Sequence, residues 1–81
     1  MKLNQKKEQI LKALAEEREL NPRTYLAGLS TMGIGVKVGA RPPMDVINDL
    51  QDLLLSGFIN KERFKRLING KGICYLKTYR K

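Results

Sequence analysis

Few residues in the chain can do chemistry. It has 81 residues, with one cysteine, Cys74, and no histidine. Without histidine the commonest general base is missing, and neither a Ser-His nor a Cys-His pair can form. A lone thiol closes no internal disulfide, and the usual zinc-ligand sets lack members. These absences point away from catalysis and from a metal or other cofactor, so a non-enzymatic protein is expected. The chain does supply cations, unevenly placed. Residues 1–20 carry five cations and four anions, residues 21–57 carry three of each, and residues 58–81 carry eight cations against Glu62 alone. A solvated basic face is the plain alternative, but so lopsided a segment suggests a polyanionic partner. Arg63, Lys65, Arg66, Lys71 and Lys77 are the candidate phosphate contacts, with Lys61, Arg80 and Lys81 behind them.

The elements that position these residues are read from periodicity and punctuation. A chain of 81 residues makes one domain, 1–81, near the lower size limit for a core without disulfides or metals. No segment approaches the roughly 18 apolar residues of a membrane span, and the N-terminus has no apolar signal core, so a cytosolic protein is expected. Leu3, Ile10, Leu11 and Leu14 recur at helical spacing, which predicts helix 1 from Leu3 to about Glu19. Asn21-Pro22 is a helix start, and helix 2 is expected from Pro22 to about Thr31. The run from Gly33 to Gly39 superficially resembles a phosphate-cradling loop, but its spacing matches neither the dinucleotide fingerprint nor the P-loop. Alternation of Ile34, Val36 and Val38 predicts a turn and a short strand at residues 34–38.

Pro42-Pro43 opens helix 3, which runs from about Pro43 to Ser56. Val46, Ile47, Leu50, Leu53 and Leu54 are expected to face the core, with Asp45, Asn48, Asp49 and Asp52 outward. Gly57 is placed as the residue closing the helix, with Phe58 folding back on the last turn. The last third reads as a β-hairpin, with strands from about Phe58 to Ile68 and from Gly72 to Tyr79. Asn69-Gly70-Lys71-Gly72 would form its turn, since Asn-Gly is the strongest short hairpin signal. Tyr25 and Tyr75 belong in the core and Tyr79 outside it. Cys74 is expected to be a small buried hydrophobe in the second strand.

Three helices and a hairpin make an α+β chain that resembles the winged-helix DNA-binding domain. The likeness is carried by Val46-Ile47-Asn48-Asp49-Leu50-Gln51-Asp52-Leu53-Leu54-Leu55-Ser56-Gly57-Phe58-Ile59. This stretch is similar to the passage from recognition helix into wing in many winged-helix regulators. Gly72-Ile73-Cys74-Tyr75-Leu76-Lys77-Thr78 resembles the second wing strand. Met32 to Arg41 is longer than the tight turn of a helix-turn-helix, and the strand that the family places after helix 1 is expected within it.

The resemblance implies a small transcription or replication regulator that binds double-stranded DNA. Helix 3 would lie in the major groove and the wing on flanking phosphates. Arg41, Met44, Asn48 and Gln51 would then touch bases or backbone, Asn and Gln suiting adenine. Against this, Asp45, Asp49 and Asp52 form an acidic stripe on the same helix, which phosphates repel unless arginines from the hairpin neutralise it. The stripe supports an alternative, a winged helix that binds a protein partner through these three aspartates. Leu20 at the end of helix 1 could also contribute to a homodimer seam.

Overall fold

The computed structural model describes residues 3–20 and 28–79. Within them the chain runs α1 (Gln5–Leu20), β1 (Leu29–Ser30), α2 (Thr31–Val38), a 3-10 turn (Pro43–Val46) and α3 (Ile47–Leu55). Then follow β2 (Ile59–Glu62), β3 (Lys65–Ile68) and α4 (Gly70–Tyr79). The result is a mixed α+β arrangement, mostly helical, around one antiparallel sheet of order β1-β3-β2.

Helix α1 organises the rest. Asn4 starts it, its side-chain oxygen accepting the Lys7 amide at 2.9 Å. The stripe read from the sequence is buried as expected: Leu3, Ile10, Leu11 and Leu14 all lie in the core. They meet α2, α3, β3 and α4 through Ile34, Leu50, Leu53, Ile68 and Tyr75. Tyr75 fastens α4 to the start of α1. Its hydroxyl accepts the Leu3 amide at 2.6 Å and donates to the Glu8 carboxylate at 2.7 Å, and its ring meets Phe58 edge-on at 5.5 Å.

The expected strand at residues 34–38 is instead helix α2. Ser30, in an extended conformation, caps it by accepting the Gly33 amide at 3.1 Å. Gly39, at φ 77°, ends it: the Gly39 amide donates to Val36 O and the Ala40 amide to Gly35 O, the paired bonds of a Schellman motif. The β-branched alternation and the glycines argue locally against a helix, but packing overrides them. Ile34 is fully buried, and a Cβ on Gly35 would overlap the carbonyl of Pro43. Gly35 therefore permits a close approach of α2 to the 3-10 turn. The expected helix 2 falls largely on residues 21–27, outside the described residues, as do Arg23 and Tyr25. Its last part, Leu29–Ser30, is strand. That strand, not residues 34–38, is the one that follows helix 1.

Helix 3 divides into the 3-10 turn and α3, and ends as expected. Gly57 sits at φ 81°, its amide donating to Leu54 O and that of Phe58 to Leu53 O, while Phe58 folds back into the core. Ile47, expected inside, is about half exposed at 49%.

The hairpin is shorter than expected and turns elsewhere. Ile59 pairs with Ile68 and Glu62 with Lys65, so the two-residue turn is Arg63-Phe64. The expected second strand is α4. Asn69 is its cap, its Oδ1 accepting the Gly72 amide at 3.0 Å and its carbonyl accepting that of Ile73 at 3.0 Å. Its side-chain amide donates to Gly57 O at 2.6 Å and to Asn60 Oδ1 at 3.2 Å. Asparagine suits both a hairpin turn and a helix cap, and here the cap prevails because helical spacing brings Gly72, Tyr75 and Leu76 to one side. Cys74 falls on the other side and is exposed, not buried.

Replacing Asn69 with alanine should cost about 1–2 kcal/mol, the loss of one cap. Amide exchange should quicken first in residues 70–73 while the hairpin stays protected. Unchanged exchange in that turn would remove Asn69 as the cap of α4.

Candidate functional site

The 3-10 turn and α3 together present three edges of different chemistry. Val46, Leu50 and Leu53 are buried and set their rotation against α1. On one side of that contact lie the three aspartates. Lys6 Nζ stands 2.9 Å from Asp45 Oδ2 and 3.3 Å from Asp49 Oδ2, and Lys7 Nζ stands 3.1 Å from Asp52 Oδ2. The hydrogen bond to Asp45, and after it that to Asp49, raises the Lys6 ammonium above the ordinary lysine value of 10.5. The acidic stripe faces outward as expected, but the cations that neutralise it are two lysines of α1 and not arginines of the hairpin. The third edge is free of carboxylates: Met44, Ile47, Asn48, Gln51 and Leu55 are exposed along it, Leu55 at 81%.

The hairpin rises beside the start of this edge. Met44 shares a hollow with Thr31 and Met32 of α2 and with Lys61, Arg63, Phe64 and Arg66 of the hairpin. Lys61 and Arg66 are directly opposite each other across the strands, whereas Glu62 opposes Lys65. Like charges in that register repel. Arg63 has φ 56°, a left-handed conformation unusual for a residue with a side chain. Arg66 donates from Nη1 to the Phe64 carbonyl at 2.9 Å. Its Nε is, among the described residues, the buried side-chain polar atom with no hydrogen-bond partner.

The candidate contacts therefore separate. Met44, Arg63 and Arg66 meet around one hollow, and Lys65, next to Arg66 on β3, is half-buried opposite Glu62. Asn48 and Gln51 continue the same helix edge, four and seven residues beyond Met44. Arg41 is exposed in the connection before the 3-10 turn. Lys71 and Lys77 do not belong to the hairpin, because α4 carries them. Lys71 is committed elsewhere: its Nζ donates to Ser56 O at 2.7 Å and lies 4.7 Å above the Phe58 ring. It thereby meets the carbonyl end of α3, where a cation is favoured. Lys77 is exposed near the end of α4, and Arg80 and Lys81 fall outside the described residues.

Sequence reasoning missed Lys6 and Lys7 as partners of the aspartates, since 39 residues separate Lys6 from Asp45 and helical spacing carries no signal over that range. It also passed over Phe64 and Met32, which are exposed at 67% and 58%. An aromatic inside a run of cations was the available signal for Phe64. Among the described residues no group of three or more His, Cys, Asp or Glu is placed to hold a metal ion, and no helix is long and apolar enough to cross a membrane. No protein-family model, no curated protein and no solved structure matches the chain.

Lys6→Gln should leave Asp45 and Asp49 uncompensated and lower the melting temperature modestly in dilute buffer. The loss should nearly vanish in molar salt, because the pairs are partly exposed and screened. A raised lysine pKa means the contribution is complete at neutral pH and fades as pH climbs through the folded-state value, so wild type and variant should converge in strong alkali. An equal deficit at every salt and pH would show that the lysine acts through packing.

Proposed function

We propose that this chain is a winged-helix module that binds double-stranded DNA, with the β2–β3 hairpin as its wing. It would serve as a small transcription or replication regulator. The order helix, strand, helix, helix, hairpin supports the resemblance carried by residues 46–59, whereas residues 72–78, likened to a second wing strand, lie in α4. The phosphate grip comes from Lys61, Arg63, Lys65 and Arg66. Any base reading comes from the exposed edge Met44–Asn48–Gln51, with Arg41 beside its start.

The observation that carries this reading is the register of Lys61 opposite Arg66. A hairpin selected for stability alone would place a carboxylate across from a cation. Here the repulsion is retained, and a phosphate between the two strands would turn it into attraction. The paired aspartates support the same reading. A basic protein docking on Asp45, Asp49 and Asp52 would meet carboxylates whose charge Lys6 and Lys7 already offset, whereas DNA approaching the edge free of carboxylates would not depend on them.

Anisotropy titrations on a pool of random duplexes at increasing salt test the grip. About four phosphate contacts give a slope near −3 to −4 in log K against log salt. Lys61→Gln with Arg63→Gln, both exposed side chains, should flatten that slope by about 2. Absence of binding at low salt, or an unchanged slope in the double variant, would overturn the reading.

Lys61→Glu offers a sharper contrast. It replaces a like-charge pair with an opposite one, so the fold should gain about 0.2–1 kcal/mol while DNA binding falls. A less stable variant, or one that binds as well as wild type, would show that the register has no bearing on a polyanion. For base reading, Asn48→Ala should cost about 1–3 kcal/mol on a selected site and little on random duplexes. Equal losses on both would remove α3 from the recognition.

A further inference from the structure

Resting on the reading that the hairpin grips DNA, we infer that Phe64 is a wedge whose ring enters the base stack at one step of the bound duplex. Phosphate gripping alone gives no reason for an aromatic at the tip. A two-residue turn with positive φ at its first position favours glycine, asparagine or aspartate. This turn carries Arg63 in the strained position and Phe64, 67% exposed, beside it. The ring is presented on a braced support, because the Arg66 guanidinium donates to the Phe64 carbonyl at 2.9 Å.

The surroundings select the occupant. The hollow beside the tip is lined by the apolar Met32, Met44 and Phe64 and by the cations Lys61, Arg63 and Arg66. No carboxylate lines that hollow, so a second copy meeting it through its own hollow would bring cations against cations. The complementary partner has flat apolar groups flanked on both sides by anions. A duplex has that construction, with its base stack between two phosphate chains. Apolar side chains that enter such a stack partly unstack one step and bend the duplex, most readily at a pyrimidine–purine step.

The test uses a duplex with one TA step between stiff tracts, with 2-aminopurine in place of the adenine of that step. The whole chain is compared with Phe64→Ala and Phe64→Leu, after melting curves confirm that all three fold alike. Wild type should raise the 2-aminopurine emission severalfold on binding. Phe64→Ala should abolish the rise, weaken binding about tenfold, and keep the wild-type salt slope because every cation remains. Phe64→Leu should restore part of both signals, since aliphatic wedges also insert. Tight binding by wild type without a rise in emission would overturn the wedge and leave the grip standing, as would a full rise with Phe64→Ala. Failure of wild type to bind the duplex at low salt would overturn the grip itself.

Discussion

The ion pairs from Lys6 and Lys7 of α1 to Asp45, Asp49 and Asp52 determine the electrical character of α3, and the surface of the protein is organised around them. Exposed pairs of this kind add little to stability. Their larger effect is on the field. Burial of Val46, Leu50 and Leu53 already fixes how α3 is rotated, so the aspartates must lie on one edge and the amides Asn48 and Gln51 on another. Left uncompensated, Asp45 of the 3-10 turn and Asp49 and Asp52 of α3 would repel any polyanion approaching that surface. With two ammonium groups within 3.3 Å of them, the repulsion is largely cancelled at its source. The same helix can then present a neutral, partly apolar edge to a charged ligand.

A second constraint places that edge relative to the hairpin. Because a Cβ on Gly35 would overlap Pro43, α2 and the 3-10 turn lie closer than side chains would otherwise allow. That approach brings Met44 beside Met32 and, across the hollow, beside Lys61, Arg63 and Arg66. A glycine that costs helix propensity in α2 thereby sets the distance between the two surfaces most suited to a ligand. Helix α4 contributes from behind: Lys71 meets the carbonyl end of α3 and Tyr75 ties the C-terminal helix to the N-terminal one.

What the sequence discloses about this fold follows the range of the interactions involved. The stripe Leu3, Ile10, Leu11 and Leu14 was legible because one face of one helix decides it. So was the end of α3 at Gly57-Phe58, which depends on six consecutive residues. Residues 34–38 misled because Gly33, Gly35 and β-branched neighbours describe a strand locally, and the reason for them is Pro43, in contact only once the chain has folded. Asn69-Gly70 misled because one residue type serves two local structures, and the choice depends on Gly57 and Asn60, brought near by the hairpin. Reading residues 72–79 as strand also inflated the basic wing. The cations of the last third divide between a short hairpin and α4, and Lys71 proves to be structural. The partners of the aspartates were illegible for the same reason as Pro43, since nothing local links Lys6 to Asp45.

The hairpin tip concentrates several departures within a short span. Within six residues it holds a like-charge pair in register, a positive φ on arginine, a largely exposed phenylalanine and a guanidinium with an unpartnered buried nitrogen. Each lowers stability slightly, and each could be relieved by a common substitution, such as glycine at 63 or a carboxylate at 61. Elsewhere the chain has side-chain caps at Asn4, Ser30 and Asn69, Schellman glycines at the ends of α2 and α3, and no buried charged side chain among the described residues. Local inconsistency confined to one protruding element is what a binding site produces when its ligand supplies the missing half of the interactions. Three of the four departures are cationic and the fourth is flat and apolar, so on the proposed reading the ligand is anionic and also offers an apolar face. That combination ties the grip and the wedge to one ligand class, since phosphate alone would leave Phe64 unexplained and an apolar surface alone would leave Lys61 facing Arg66.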